Sequence, residues 1–116
     1  MKDTDKKEKT LDPDDWDEFQ ALLHRVCDDV VDYLKTVGDR PVWSELPEDS
    51  KKLFTEDLPT SGSRYADVYN EVKKHILPYP TNNIHPRFWS WVGGTGTPSQ
   101  VIADMIISAM NSGSLG

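Results

Sequence analysis

The run from His85 to Asn111, HPRFWSWVGGTGTPSQVIADMIISAMN, constrains the fold more than any other stretch of the chain. From Phe88 to Gly116 the only charged residue is Asp104, while Phe88, Trp89, Trp91, Val92, Val101, Ile102, Met105, Ile106, Ile107 and Met110 supply a dense apolar set. Contiguous apolar surface on that scale does not suit free solvent. By contrast, 17 of the 20 acidic residues fall within the first 59 positions, so a solvated first half leads into a second half that asks for burial. The sequence stops at Gly116, just after this apolar helix, which predicts the opening part of a larger protein whose later residues cover the helix.

A content of 36% hydrophobic and 28% charged residues in 116 is lean for a self-sufficient core, so marginal stability in isolation is expected. The net charge of -7 argues against nucleic acid and anionic membranes as partners, because both recruit positive surface. Proteins and small molecules remain. No stretch approaches the roughly 18 to 20 apolar residues of a membrane span, and MKDTDKKEKT carries charges of both signs with no apolar core behind it. Together with the single Cys27, this predicts a protein of a reducing compartment, the cytoplasm, without a secretory signal.

Residues 1–11 read as a disordered polar tail. Asp12-Pro13-Asp14-Asp15 is a helix start, with Asp12 as cap and Pro13 at the first helical position. The helix is expected over 13–37, since Trp16, Phe19, Leu23, Val26, Val30, Tyr33 and Val37 recur at steps of three and four, and Gly38 is a natural stop. Pro41, Pro47, Pro59 and Gly62 make 39–63 an extended connector, with at most a short helix around Glu48 to Phe54. Ser63 is the expected cap of a helix over 64–76, ended by Pro78 and Pro80, and Thr97-Pro98 starts another over 98–111. No strand pattern is visible, so the chain reads as all-α, with three main helices and the first projecting from the others.

Few residues suggest chemistry. His24 and Cys27 stand three apart on a helix, a spacing open to metal ligands, but no second ligand pair accompanies them, and the reading is no metal site. Gly93-Gly94-Thr95-Gly96-Thr97 leads into a helix N-terminus like a phosphate loop, yet lacks the Lys-Ser/Thr ending and a preceding strand. Trp89 and Trp91 flank Ser90 and read either as core aromatics or as one wall of a ligand pocket. Asp104, alone on an apolar helix, requires a partner that the chain does not obviously contain.

The order of these pieces resembles a known family. A leading amphipathic helix, a connector, a helix ending in Ile76-Leu77-Pro78, then His85-Pro86-Arg87-Phe88-Trp89, a small-residue loop and Val101-Ile102-Ala103-Asp104-Met105 look like the N-terminal segment of the pyridoxal-phosphate-dependent group II decarboxylases. The resemblance spans about residues 15 to 112, and its most specific part is the His-Pro-x-Phe loop followed by the Ala-Asp helix. It implies a homodimeric amino-acid decarboxylase of the fold type I α/β class, in which residues 12–116 form a helical dimerisation segment before the cofactor-binding domain.

By the same resemblance, Trp91, Val92, Gly93, Gly94 and Thr95 contribute to the substrate pocket, whereas pyridoxal 5'-phosphate and the catalytic residues belong to later parts of the protein. The family's cofactor lysine follows a histidine, and the chain has only the reversed Lys74-His75, so this segment alone is expected to bind no cofactor and to be inactive. Relatives that act on aromatic amino acids tend to carry an aromatic pair followed by proline and threonine where this chain has Trp91, Val92 and two glycines. Two rival readings remain: a non-catalytic helical interaction module, and a lyase of the same fold and cofactor acting on another substrate.

Overall fold

The computed structural model describes residues 10–113. The polar-tail expectation for 1–11 thus lies, over 1–9, outside the described residues, while Thr10 and Leu11 are exposed. The described residues form four α-helices and no strand: α1 Trp16–Thr36, α2 Glu48–Leu53, α3 Tyr65–His75 and α4 Pro98–Met110, with a 3-10 turn over Val37–Asp39. The all-α architecture with an extended connector is as the sequence predicts, and α2 is the short helix foreseen within that connector. No described helix is long and apolar enough to cross a membrane.

Three helix ends differ from expectation, each for a local reason. The cap of α1 is Asp15, not Asp12: an Asp15 carboxylate oxygen accepts from the backbone N–H of Asp17 at 2.9 Å and of Glu18 at 3.0 Å. Asp17 and Glu18 then occupy the first turn, where acids favour the positive end of the helix dipole. Before α3, Ser63 is not the cap. Arg64 holds that position without a side-chain cap bond, because a guanidinium has no acceptor to offer the backbone N–H groups; it donates instead to Glu18 on α1. Gly38 does not end α1 through a left-handed turn either; the chain tightens into the 3-10 turn, and no described glycine has positive φ. The start of α4 is as expected, with Thr97 accepting from Gln100 N–H at 3.3 Å and Pro98 in the first turn. Asn111, at φ 42°, closes it.

Helices α1 and α3 lie side by side and run in the same direction. Phe19 meets Tyr65 edge-on at 5.5 Å, Arg25 donates to Asn70 at 3.2 Å, and Asp29 accepts from Tyr69 at 2.5 Å and from Lys73 at 2.8 Å. Partners thus advance together along both helices. A parallel pair forbids a tight hairpin, since the chain must travel back along α1, about 31 Å at 1.5 Å per residue, before α3 can start. The proline-punctuated connector makes that return. The first helix therefore does not project freely; its principal helix partner is α3. Phe19, Val26, Val30, Tyr33 and Val37 of the expected face are half-buried, while Trp16 and Leu23 stay exposed and Asp29 joins the covered side.

Asp29 makes this contact sensitive to pH at both extremes. The hydrogen bond from Lys73, then that from Tyr69, hold its carboxyl below the ordinary 3.8, against the opposing effect of burial. A folded value below the unfolded one means that its contribution is in place at neutral pH and is lost as pH falls through the lowered value. Tyr69 is pushed up to about 12, by burial first and by Asp29 second. Its contribution is complete below pH 10 and is lost as pH climbs from 10 to about 12. Hydrogen exchange of the α3 amides is expected to show both losses, and Asp29→Asn is expected to abolish the acid one.

No apolar side chain is fully buried among the described residues; the buried ones are Ser50, Asn82, His75 and His85. The radius of gyration is 18.8 Å, against about 13 Å for a compact domain of 100 residues. Helix α4 is uncovered, with Val101, Ile102, Met105, Ile106, Ile107 and Met110 all exposed. Asp104 does have a partner within the chain, contrary to expectation: Gln100, one turn earlier, donates to it at 2.6 Å.

Candidate functional site

Two of the four buried polar residues, Asn82 and His85, gather where the end of α1, the connector and the segment before α4 meet. Asn82 takes the left-handed conformation at φ 57°, which asparagine tolerates better than most residues. Its side-chain nitrogen donates to Pro41 O at 2.9 Å and its side-chain oxygen accepts from the Tyr33 hydroxyl at 2.9 Å. Its carbonyl accepts from His85 N–H at 2.9 Å, and the His85 carbonyl accepts from Phe88 N–H at 3.0 Å. Two consecutive turns result, with Pro86 at the second position of the latter, where its fixed φ is favourable. The His85 ring is 3% exposed. Arg87 N–H donates to Nδ1 at 3.0 Å, which leaves Nε2 as the protonated nitrogen, donating to Arg40 O at 2.9 Å. The His-Pro-x-Phe motif is thus a double turn with its histidine buried as a clamp.

From this clamp the chain emerges as the irregular stretch 87–97. Phe88 meets Trp91 edge-on at 5.7 Å and 78°. Trp89 and Trp91 are 89% and 66% exposed, so neither is a core aromatic within this chain. Both border a groove of about 430 Å³ that Val42, Trp43 and Tyr79 also line. Of the residues assigned to a substrate pocket, Trp91 alone lines this groove; Val92, Gly93, Gly94 and Thr95 lie beyond it in the exposed loop. Gly94 is tethered by its carbonyl, which accepts from the Asn83 side chain at 3.3 Å.

The sequence pattern did not mark Trp43 and Tyr79 as lining residues. Trp43 sits in the connector and Tyr79 between two prolines, each read only as punctuation. A tryptophan within a proline-punctuated connector was the available signal.

Among the described residues no lysine, arginine, histidine or carboxylate lines the groove, so it can receive a flat apolar group beside the hydroxyl-bearing Tyr79, Thr81 and Ser90. A second arrangement has the outline of a relay: Ser50 Oγ lies 2.7 Å from His75 Nδ1, and His75 Nε2 lies 3.4 Å from Glu71. Ser50 is 3% exposed, so its hydroxyl meets no substrate, and the trio clamps α2 onto the last turn of α3. His24 is exposed and Cys27 half-buried, and no group of three or more potential metal ligands gathers among the described residues.

No family profile matches the chain. It is similar to an aromatic-L-amino-acid decarboxylase of Catharanthus roseus, 31% identical over 97 residues, which cover 83% of this chain and 19% of that protein. Its backbone is similar to the crystal structure of Oryza sativa TDC with PLP and tryptamine, with a TM-score of 0.72 and 25% identity over 92% of this chain and 23% of that one. It is also similar to Catharanthus roseus tryptophan decarboxylase in complex with L-tryptophan, with a TM-score of 0.66 and 29% identity over 87% of this chain and 22% of that one. The chain spans about a fifth of the length of these relatives. Over most of its length the chain is thus similar to the N-terminal segment of the pyridoxal-phosphate-dependent group II decarboxylases.

Proposed function

We propose that the chain is the N-terminal part of a pyridoxal-phosphate-dependent amino-acid decarboxylase, contributing one wall of the substrate pocket and part of a homodimer interface in a cytoplasmic enzyme. The observation that carries this reading is the uncharged aromatic groove of Trp43, Tyr79, Trp89 and Trp91, on a backbone that follows solved decarboxylases. In the whole enzyme the cofactor supplies the electron sink for loss of carbon dioxide. The described residues do not themselves fit that cofactor, since no lysine among them lines the groove. Residues 12–116 act instead as a helical dimerisation segment that stands before a cofactor-binding domain. This segment alone holds no cofactor and is inactive. Trp91 borders the substrate's apolar end, and Val92 to Thr95 continue the same wall toward it. The reading is tested by release of carbon dioxide from L-tryptophan, L-tyrosine and L-phenylalanine by the full-length protein loaded with cofactor. No release from any of the three, with the cofactor bound, overturns the reading of the aromatic groove as a wall of the substrate pocket.

Val101 offers a second check. It is 43% exposed in this chain, on a helix whose apolar side nothing here covers. In the assembled enzyme that side packs against the remainder of the protein, so Val101→Ala is expected to cost about 1–3 kcal/mol in the full-length protein and almost nothing in residues 1–116 alone. Chemical denaturation of the full-length protein, beside far-UV circular dichroism of residues 1–116 with and without the substitution, checks the difference. Equal, small losses in both would leave α4 uncovered and remove the interface reading.

A further inference from the structure

We infer that His85 is the positioning residue of the aromatic loop, acting through a hydrogen-bond chain that ties the loop to the C-terminal end of α1. The inference rests on the loop's role as a substrate wall for its kinetic consequence, and on geometry alone for the anchor itself. The loop has little else to hold it. Residues 89–100 are exposed throughout, and beyond His85 its fixed points are the Phe88–Trp91 contact and the tether of Gly94 to Asn83. No buried apolar side chain is available among the described residues to wedge it in place.

The anchor has three links, each from a different segment. Arg87 N–H is the first backbone group of the loop, and it donates to His85 Nδ1. Nε2 of the same ring donates to the carbonyl of Arg40. Arg40 is itself immobilised on α1: its guanidinium donates to the Thr36 hydroxyl at 3.0 Å and to Asp32 at 3.3 Å, and lies 5.0 Å from the centre of the Tyr33 ring. The Tyr33 hydroxyl returns to Asn82, which accepts the His85 N–H and so closes the circuit. Because Pro41 O can only accept, the amide of Asn82 has one possible orientation, and its oxygen must face Tyr33. Every polar atom of the His85 ring is used, and every use fixes position rather than chemistry.

The test uses the full-length protein. His85→Leu fills similar space and removes both ring hydrogen bonds. It is expected to speed amide exchange of residues 87–95 at least tenfold while leaving α3 unchanged, and to raise KM for an aromatic amino acid at least fivefold with smaller change in kcat and unaltered cofactor absorbance. His85→Gln, whose amide can donate toward Arg40 O and accept from Arg87 N–H, is expected to bring both readouts back to within threefold of the parent. Unchanged exchange at 87–95 in His85→Leu overturns the inference, as does an increase shared equally by all helices, which is what a merely structural histidine gives. Faster exchange confined to 87–95 with unchanged KM supports the anchor and removes the substrate-wall reading. Should His85→Leu fail to fold, Tyr33→Phe deletes one hydroxyl of the same circuit, and a local rise in exchange of about threefold is expected; its absence overturns the inference.

Discussion

Residues 1–116 by themselves are expected to melt over a broad range, without the steep transition of a two-state domain. Cooperativity requires that many side chains lose their burial at once, and here no described apolar side chain is fully buried. The accessible surface is 10548 Å², whereas a compact chain of this mass exposes roughly 6,400 Å². The apolar area that would drive a sharp transition is on the outside, along α4 and on the exposed tryptophans. What remains is local: the capped turns of α1 and α4, the α1–α3 contact, and ion pairs such as Arg64–Glu18, whose partners are largely exposed and therefore add little. Far-UV circular dichroism should fall gradually with temperature, and dye binding to exposed apolar surface should be strong already at low temperature. A sharp melt with coincident far-UV and fluorescence transitions would show that the segment folds autonomously. It would also undercut the view that α4 is covered by the rest of an enzyme.

The helices were legible because their signals are local. Steps of three and four along α1, the prolines that end α3, and Thr97-Pro98 ahead of α4 act within one or two turns and survive whatever the remainder of the chain does. The cap of α1 was misread by three residues because Asp12, Asp14 and Asp15 are equivalent by residue type; only the geometry that lets Asp15 receive two backbone N–H groups separates them. Asp29 was invisible as an inward residue, since a carboxylate on a half-covered face becomes sensible only once Tyr69 and Lys73, forty and more positions away, are known to meet it. The same limit hid Trp43 and Tyr79. A groove between a connector and a loop is set by the path of the chain, and periodicity carries no information about that path. The His-Pro-x-Phe motif was noticed as a signature, while its physical content, a double turn closed over a buried histidine, depends on Arg40 and Asn82, which no short pattern links.

Gly94 is where the loop's role can be separated from its fold. A Cβ at this position would meet nothing within 4 Å, and the backbone is not left-handed, so the described structure gives no reason for glycine here. The tether from Asn83 uses the Gly94 carbonyl and does not depend on its side chain. Gly94→Val should therefore leave residues 1–116 unperturbed by circular dichroism and by exchange. If the loop closes on substrate in the full-length enzyme, the same change places a branched side chain where the backbone was meant to approach the ligand. A loss in kcat/KM of about tenfold or more, equivalent to about 1.4 kcal/mol of transition-state stabilisation, is the expected result, with cofactor absorbance intact if the cofactor is anchored by later residues as proposed. Gly62→Val is the matching control: that glycine is equally open, equally free of backbone constraint and set in the connector, away from the groove, so its kinetics should match the parent. Parent-like kinetics for Gly94→Val with the true substrate would mean that the loop's glycines serve neither the ligand nor the fold, and Val92 to Thr95 would then drop out of the pocket, leaving Trp91 and the other aromatics of the groove as its only wall within this segment.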